Sequence, residues 1–84
     1  MYFGRVYVSY KKSVLDPQGE VIKSGLTHMG FEKIESVKQG KYFEIKFAAT
    51  DMENAKQELV KMIEALLINA NTETYRYDLK ELGD

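Results

Sequence analysis

The sequence predicts an α+β domain built on an antiparallel sheet. Three observations carry that prediction. All 10 aromatic residues, six Tyr and four Phe, lie outside the two segments that show helical spacing. Aromatic rings fit a pleated surface and lose rotamer freedom on a helix. Three separate segments alternate strictly between apolar and polar residues, the period of a half-buried strand. Two further segments open with helix-start chemistry and continue with apolar residues three and four apart.

The elements follow in order. Val6, Val8 and Tyr10 alternate with Arg5, Tyr7 and Ser9 and form a first strand over about Val6–Tyr10. Asp16-Pro17 announces the first helix. Asp caps orphan N–H groups, and Pro suits the first turn, where no donor is needed. Val21, Ile22, Gly25, Leu26 and Met29 then recur at helical spacing, and Gly30 is the expected stop. A weaker strand is read over about Glu32–Lys38, joined to the next through Gln39-Gly40 as a hairpin turn. Phe43, Ile45 and Phe47 against Tyr42, Glu44 and Lys46 make a clean strand. Thr50-Asp51-Met52-Glu53 fits a capping box in which Thr50 and Glu53 satisfy each other's backbone donors. The second helix then buries Met52, Ala55, Leu59, Met62, Ile63, Leu66 and Leu67, and Asn69 is expected to end it in the left-handed conformation. Tyr75, Tyr77 and Leu79 against Thr74, Arg76 and Asp78 give the last strand.

This order is β-α-β-β-α-β, the ferredoxin-like arrangement, in a single domain over residues 1–84. Both helices are expected on one sheet face. The other face then carries Arg5, Tyr7, Tyr42, Glu44, Lys46 and Arg76. Exposed tyrosines on such a face point to a second copy, another protein or a ligand lying over them.

Composition narrows the chemistry. A chain of 84 residues buries roughly 60–65% of its unfolded surface, which leaves a thin core. It has no Cys, which removes disulfides, thiolate metal sites and a Cys nucleophile. A single His, His28, makes imidazole metal sites and proton relays unexpected, and its place in the last turn of the first helix suits a capping role. Twelve basic residues against thirteen acidic ones give a formal charge of −1, so no strong basic field collects nucleic acid. The charge is uneven: residues 1–50 hold 8 basic and 5 acidic side chains (+3), and residues 51–84 hold 4 and 8 (−4). Such a split either orients docking or keeps one helix and the tail soluble. No apolar run approaches the ~20 residues of a membrane span, and no signal peptide is recognised at the start, so a cytoplasmic location is expected.

Specific chemistries fare poorly. In an RNA-recognition motif the residue after Gly40 would be aromatic, and Lys41 stands there. Ser9, Ser13, Ser24 and Ser36 have only His28 as a base, and none sits in a nucleophile elbow. Gly19, Gly25 and Gly30 make no dinucleotide fingerprint. Asp16 has no companion cation ligands and is read as a cap. The residues alone lead to an interaction module.

A resemblance goes further. Val6-Tyr7-Val8-Ser9 through Ser13-Val14-Leu15-Asp16-Pro17-Gln18-Gly19 resembles the opening of the PurS family, the small subunit of phosphoribosylformylglycinamidine synthase. Leu26-Thr27-His28-Met29-Gly30-Phe31 is similar to the end of that family's first helix. Val37-Lys38-Gln39-Gly40-Lys41-Tyr42-Phe43-Glu44 is similar to its Val-Arg-x-Gly-Lys strand pair, with Lys38 in place of the frequent Arg. Leu66-Leu67-Ile68-Asn69, Glu73 and Tyr75 are similar to its closing motif; the family commonly follows the Asn with Pro or Thr and two aliphatic residues, where Ala70, Asn71 and Thr72 make a more polar connection here.

The resemblance implies a noncatalytic subunit of an ATP-dependent glutamine amidotransferase complex, a ligase of purine biosynthesis. That complex makes formylglycinamidine ribonucleotide from formylglycinamide ribonucleotide, glutamine and ATP. It implies a homodimer, with strand exchange between chains left open, that bridges separate synthetase and glutaminase subunits and assists ammonia transfer. It implies no catalytic, cofactor or metal site on this chain, with ATP and Mg on the synthetase, and neither nucleic acid nor membrane as a partner. The motif positions are Asp16, Pro17, Gln18, Gly19, Gly40, Lys41, Asn69, Glu73 and Tyr75. Asp16, Pro17 and Gly19 read chiefly as helix-start structure; the others stand between turn or core duty and partner contact. Tyr7 and Tyr42 are the expected dimer face. The alternative is a ferredoxin-like regulatory domain that binds a small metabolite.

Overall fold

The computed structural model describes residues 1–83 of the chain. Its first strand, β1 (Tyr2–Tyr10), runs through the middle of a three-stranded sheet, flanked by β2 (Lys41–Phe47) and β3 (Glu73–Glu81) in the order β2-β1-β3. Both neighbours are antiparallel to it. Val6 faces Phe43 on one side and Tyr77 on the other, and Tyr7 faces Tyr42 and Arg76. The period of two in all three strands therefore aligns across the sheet. Val6, Val8, Phe43, Ile45, Phe47, Tyr75, Tyr77 and Leu79 share one face, as their alternation predicts.

Helix α2 (Met52–Met62) covers that face. Ala55, Leu59 and Ile63 are fully buried, and Leu59 and Ile63 join Val6 and Val8 in the core. The cap differs from the expected capping box. Asp51, not Thr50, is the N-cap, and its carboxylate accepts the Asn54 N–H at 2.8 Å. The Thr50 hydroxyl instead accepts from the Asn54 side chain. Asp51 sits in the extended conformation that a cap residue takes, and its carboxylate brings negative charge to the helix start.

The end of the helix also departs from simple periodicity. Residues Ile63–Leu67 form a π-helical turn, closed by the Ile68 N–H on the Ile63 carbonyl at 3.2 Å. The extra residue in that turn rotates the register. Leu67 and Ile68 stay against the core, whereas Leu66, which the spacing places on the buried face, is 86% exposed. Asn69 lies beyond the helix and is not left-handed; Gly30 is the one described residue with positive φ.

The larger difference lies before β2. Helix α1 (Pro17–His28) forms where expected, starts on Asp16 and stops at Met29-Gly30, with Gly30 at φ 100°. It does not lie on the sheet, however, and Gly19 is its one buried residue. The packing of the chain runs between β1 and its neighbours and between α2 and β3. The segment over residues 32–38 pairs with no strand, so the chain reads β-α-β-α-β and Gln39-Gly40 is no hairpin turn. The reason is visible in its bonds. The Gln39 N–H is taken by Asp16, the Glu35 carbonyl by the Lys23 ammonium, and the Val37 carbonyl lies against Gly19. The segment is tied to α1, and together they form an arm, residues 15–40, that leaves the sheet. The α+β class with its antiparallel sheet holds; the fourth strand and the second covering helix are missing from the single chain.

Candidate functional site at the arm junction

Eight of the nine motif positions, all but Tyr75, converge where the arm leaves the sheet. Asp16 is the hinge of this junction. One carboxylate oxygen accepts the Gly19 N–H at 2.9 Å and caps α1; the other accepts the Gln39 N–H at 2.7 Å. These donors, Gln39 first, hold the Asp16 carboxyl below the usual carboxylate range. Two glycines permit the close approach. A Cβ on Gly19 would stand 2.1 Å from the Val37 carbonyl oxygen, and one on Gly40 2.2 Å from that of Val8. No side chain fits either gap. Pro17 fills the first helical turn beside them, and Gln18 reaches the rim of a small cavity of about 80 Å³ shared with Asp16, Gly40, Lys41 and Glu73.

The other wall is built by Glu73. It is the one buried charged residue among those described, with 8% of its surface exposed. Its carboxylate accepts the Asn69 N–H at 2.7 Å and pairs with the Lys41 ammonium at 3.2 Å. The Asn69 N–H, then Lys41, keep its pKa below the ordinary value. Asn69 returns the bond through its carbonyl, which accepts from the Glu73 N–H at 2.8 Å and from Thr72, while its side chain accepts from Asn71. Asn69 is thus a turn residue. Tyr75 faces α2 opposite Val8, stacked at 6.4 Å on Tyr77, so it serves the core.

Sequence reasoning named eight of the positions at this junction; Val8, Val37 and Gln39 entered it only within longer motifs, and their part here is played by backbone atoms. No side-chain pattern could signal those backbone roles. Next to the junction, Lys11, Lys12, Lys38, Ser13 and Glu20 line an open cavity of about 360 Å³. Among the described residues no group of three His, Cys, Asp or Glu side chains is placed to hold a metal ion, and no helix is long and apolar enough to cross a membrane.

Tyr7 and Tyr42 lie elsewhere, on the open sheet face. Their rings are 5.1 Å apart, and the Arg76 guanidinium sits 4.4 Å over Tyr7. Arg5 binds Asp78 through two 2.8 Å bonds, and the Tyr42 hydroxyl donates to Glu44 at 2.7 Å, a bond that raises the tyrosine's pKa. These side chains satisfy one another, Arg5–Asp78 and Arg76–Tyr7 across strands and Tyr42–Glu44 along β2.

Against known proteins, a family model described as "PurS: Phosphoribosylformylglycinamidine (FGAM) synthase" matches residues 4–81. The chain belongs to the PurS family. The PurS subunit of Bacillus subtilis is 42% identical over 83 residues, 98% of this chain and 96% of that one. A crystal form of B. subtilis PurS superposes with a TM-score of 0.88 at 40% identity, covering 96% of this chain and all of that one. Methanocaldococcus jannaschii PurS, described as a subunit of formylglycinamide ribonucleotide amidotransferase in purine biosynthesis, gives 0.85 at 29% identity over 99% and 100% of the two chains. A chain from the structure of PurLQS of Thermotoga maritima gives 0.82 at 27% identity over 95% and 99%. The family expected from the motifs is the family found, and its members share this three-stranded fold at nearly full length.

Proposed function

We propose that this chain is the small, noncatalytic subunit of a phosphoribosylformylglycinamidine synthase, a ligase complex of purine biosynthesis. As a homodimer it bridges the synthetase and glutaminase subunits and helps ammonia pass between them. The observation that carries this reading is the full-length match to PurS sequences and to a chain of the PurLQS structure. A bridge requires shape and a water-excluding contact rather than a nucleophile, which suits a site made of backbone clamps and a single buried carboxylate. ATP and Mg belong, on this reading, to the synthetase subunit, and the setting is the cytoplasm. Motif residues at the junction hold the shape that the larger subunits recognise.

Reconstitution tests the proposal. Glutamine-dependent synthesis is measured with both large subunits, with and without this chain; dependence on it is expected, and equal activity without it refutes the bridging role. A second reading, a domain that binds a small metabolite, is favoured by the 360 Å³ cavity beside the junction. A large rise in melting temperature of the isolated chain with a free amino acid or nucleotide would support that reading.

A further inference from the structure

Positive charge gathers at one place on a chain whose formal net charge is −1. Lys11 and Lys12 follow β1 directly, and Lys38 stands on the return side of the arm. All three line the open cavity of about 360 Å³ beside the junction. None of them is in an ion pair. Among the described residues the ion pairs are Arg5–Asp78, on the open sheet face, and Lys41–Glu73, at the junction. Lys23, by contrast, gives its ammonium to the Glu35 carbonyl at 2.9 Å.

Two carboxylates also line this cavity, and one of them is already engaged. Asp16 turns its two oxygens to the Gly19 and Gln39 N–H groups, which offset its charge. Glu20 is left. Three ammonium groups against that one carboxylate leave a surplus of two positive charges, which matches the charge of about −1.5 to −2 on a phosphate monoester at pH 7.

Both walls are fixed in advance. The Lys11 N–H donates to the Thr72 carbonyl and the Val14 N–H to the Lys11 carbonyl, each at 2.9 Å. Opposite, Asp16 on Gln39 and Lys23 on Glu35 hold the segment that carries Ser36 and Lys38. A cavity ordered before binding loses little entropy when it takes a ligand. Ser13 and Ser36 add hydroxyl donors, and Val14, Leu15 and Val37 add apolar surface. The volume lies within the about 300–1,000 Å³ of small-molecule sites. A cationic cluster beside an apolar wall suits a phosphate carried on an organic body better than a bare ion.

We propose that this cavity binds a phosphate monoester of about nucleotide size. The phosphate lies among Lys11, Lys12 and Lys38, with Ser13 and Ser36 donating to its oxygens. The organic part rests on Val14, Leu15 and Val37. The proposal rests on the second reading above, a domain that binds a small metabolite, and names the chemistry and the place. The bridging role does not depend on it.

The full chain is titrated separately with adenosine monophosphate, ribose 5-phosphate, adenosine and glutamine. Melting temperature and backbone amide shifts in nuclear magnetic resonance are followed. The two phosphates are expected to raise the melting temperature, and adenosine and glutamine to leave it unchanged. Amide shifts are expected at Ser13, Ser36 and Lys38, and not at Lys46 and Lys80 on the open sheet face. Lys11→Gln with Lys38→Gln, at exposed positions, is expected to weaken binding about 10-fold or more, with the circular dichroism of the chain retained. Stabilisation by adenosine or glutamine that equals or exceeds that by the phosphates overturns the phosphate site and leaves the metabolite reading standing. Stabilisation by none of the four overturns both. Shifts confined to the open sheet face, or undiminished binding by the double variant, place the phosphate elsewhere and overturn the site.

Discussion

Asp16 accepts the backbone N–H of Gln39 at 2.7 Å across 23 residues of chain, with the same carboxylate that caps α1. One side chain thereby joins the helix start to the return segment, and the junction depends on its charge. The folded-state pKa of Asp16 is lowered, so its ionised form contributes stability above the unfolded value of about 3.9, and that contribution is lost as pH falls through the lower folded value. Asp16→Asn keeps the capping shape and loses the charge. It is expected to melt below the native chain at pH 7, with the gap narrowing below about pH 4. Thermal melts from pH 2 to 8 check this; a constant gap would contradict it.

Glu73 is expected to matter for a different reason, since it is buried. Glu73→Ala strands the Asn69 N–H and frees Lys41, at a cost of about 1–3 kcal/mol in urea unfolding. Glu73→Gln keeps an acceptor for Asn69 and is expected to lose less.

Two glycines should respond unequally to Ala. At Gly40 the new methyl meets the Val8 carbonyl at 2.2 Å, backbone against backbone, so either β1 or the arm must move. At Gly4 it meets a Leu59 methyl at 2.9 Å, the far end of a side chain that can turn aside. Gly4→Ala is expected to stay within the about 1–3 kcal/mol of an overpacked core. Gly40→Ala is expected to exceed it. Denaturant melts of both variants rank them.

The π-helical turn makes a sharp contrast between two leucines of one helix. Leu59→Ala empties a fully buried position and is expected to cost about 2–5 kcal/mol. Leu66→Ala, at an exposed one, is expected to stay within about 0.5 kcal/mol. Equal losses would mean that Leu66 is covered in the assembled protein.

The sequence by itself determined which side chains share a face. Alternation in Val6–Tyr10, Tyr42–Phe47 and Thr74–Leu79 is a local property, because successive strand residues point to opposite sides whatever their neighbours are. It also determined the start of α1 at Asp16-Pro17, its stop at Gly30, and, through motifs spread along the chain, the family. Only the tertiary structure decided where the arm goes. The segment over residues 32–38 reads as a weak strand, and its backbone is held instead against the first helix: Lys23 takes the Glu35 carbonyl, the Val37 carbonyl lies against Gly19, and Asp16 takes the next N–H, that of Gln39, contacts whose distance in sequence no periodicity encodes. It likewise decided that Leu66 turns outward, since one extra residue in a helical turn shifts every later side chain. The physical division is between periodicity, set by neighbouring dihedral angles, and partnership, set by which distant donors and acceptors the fold brings within reach.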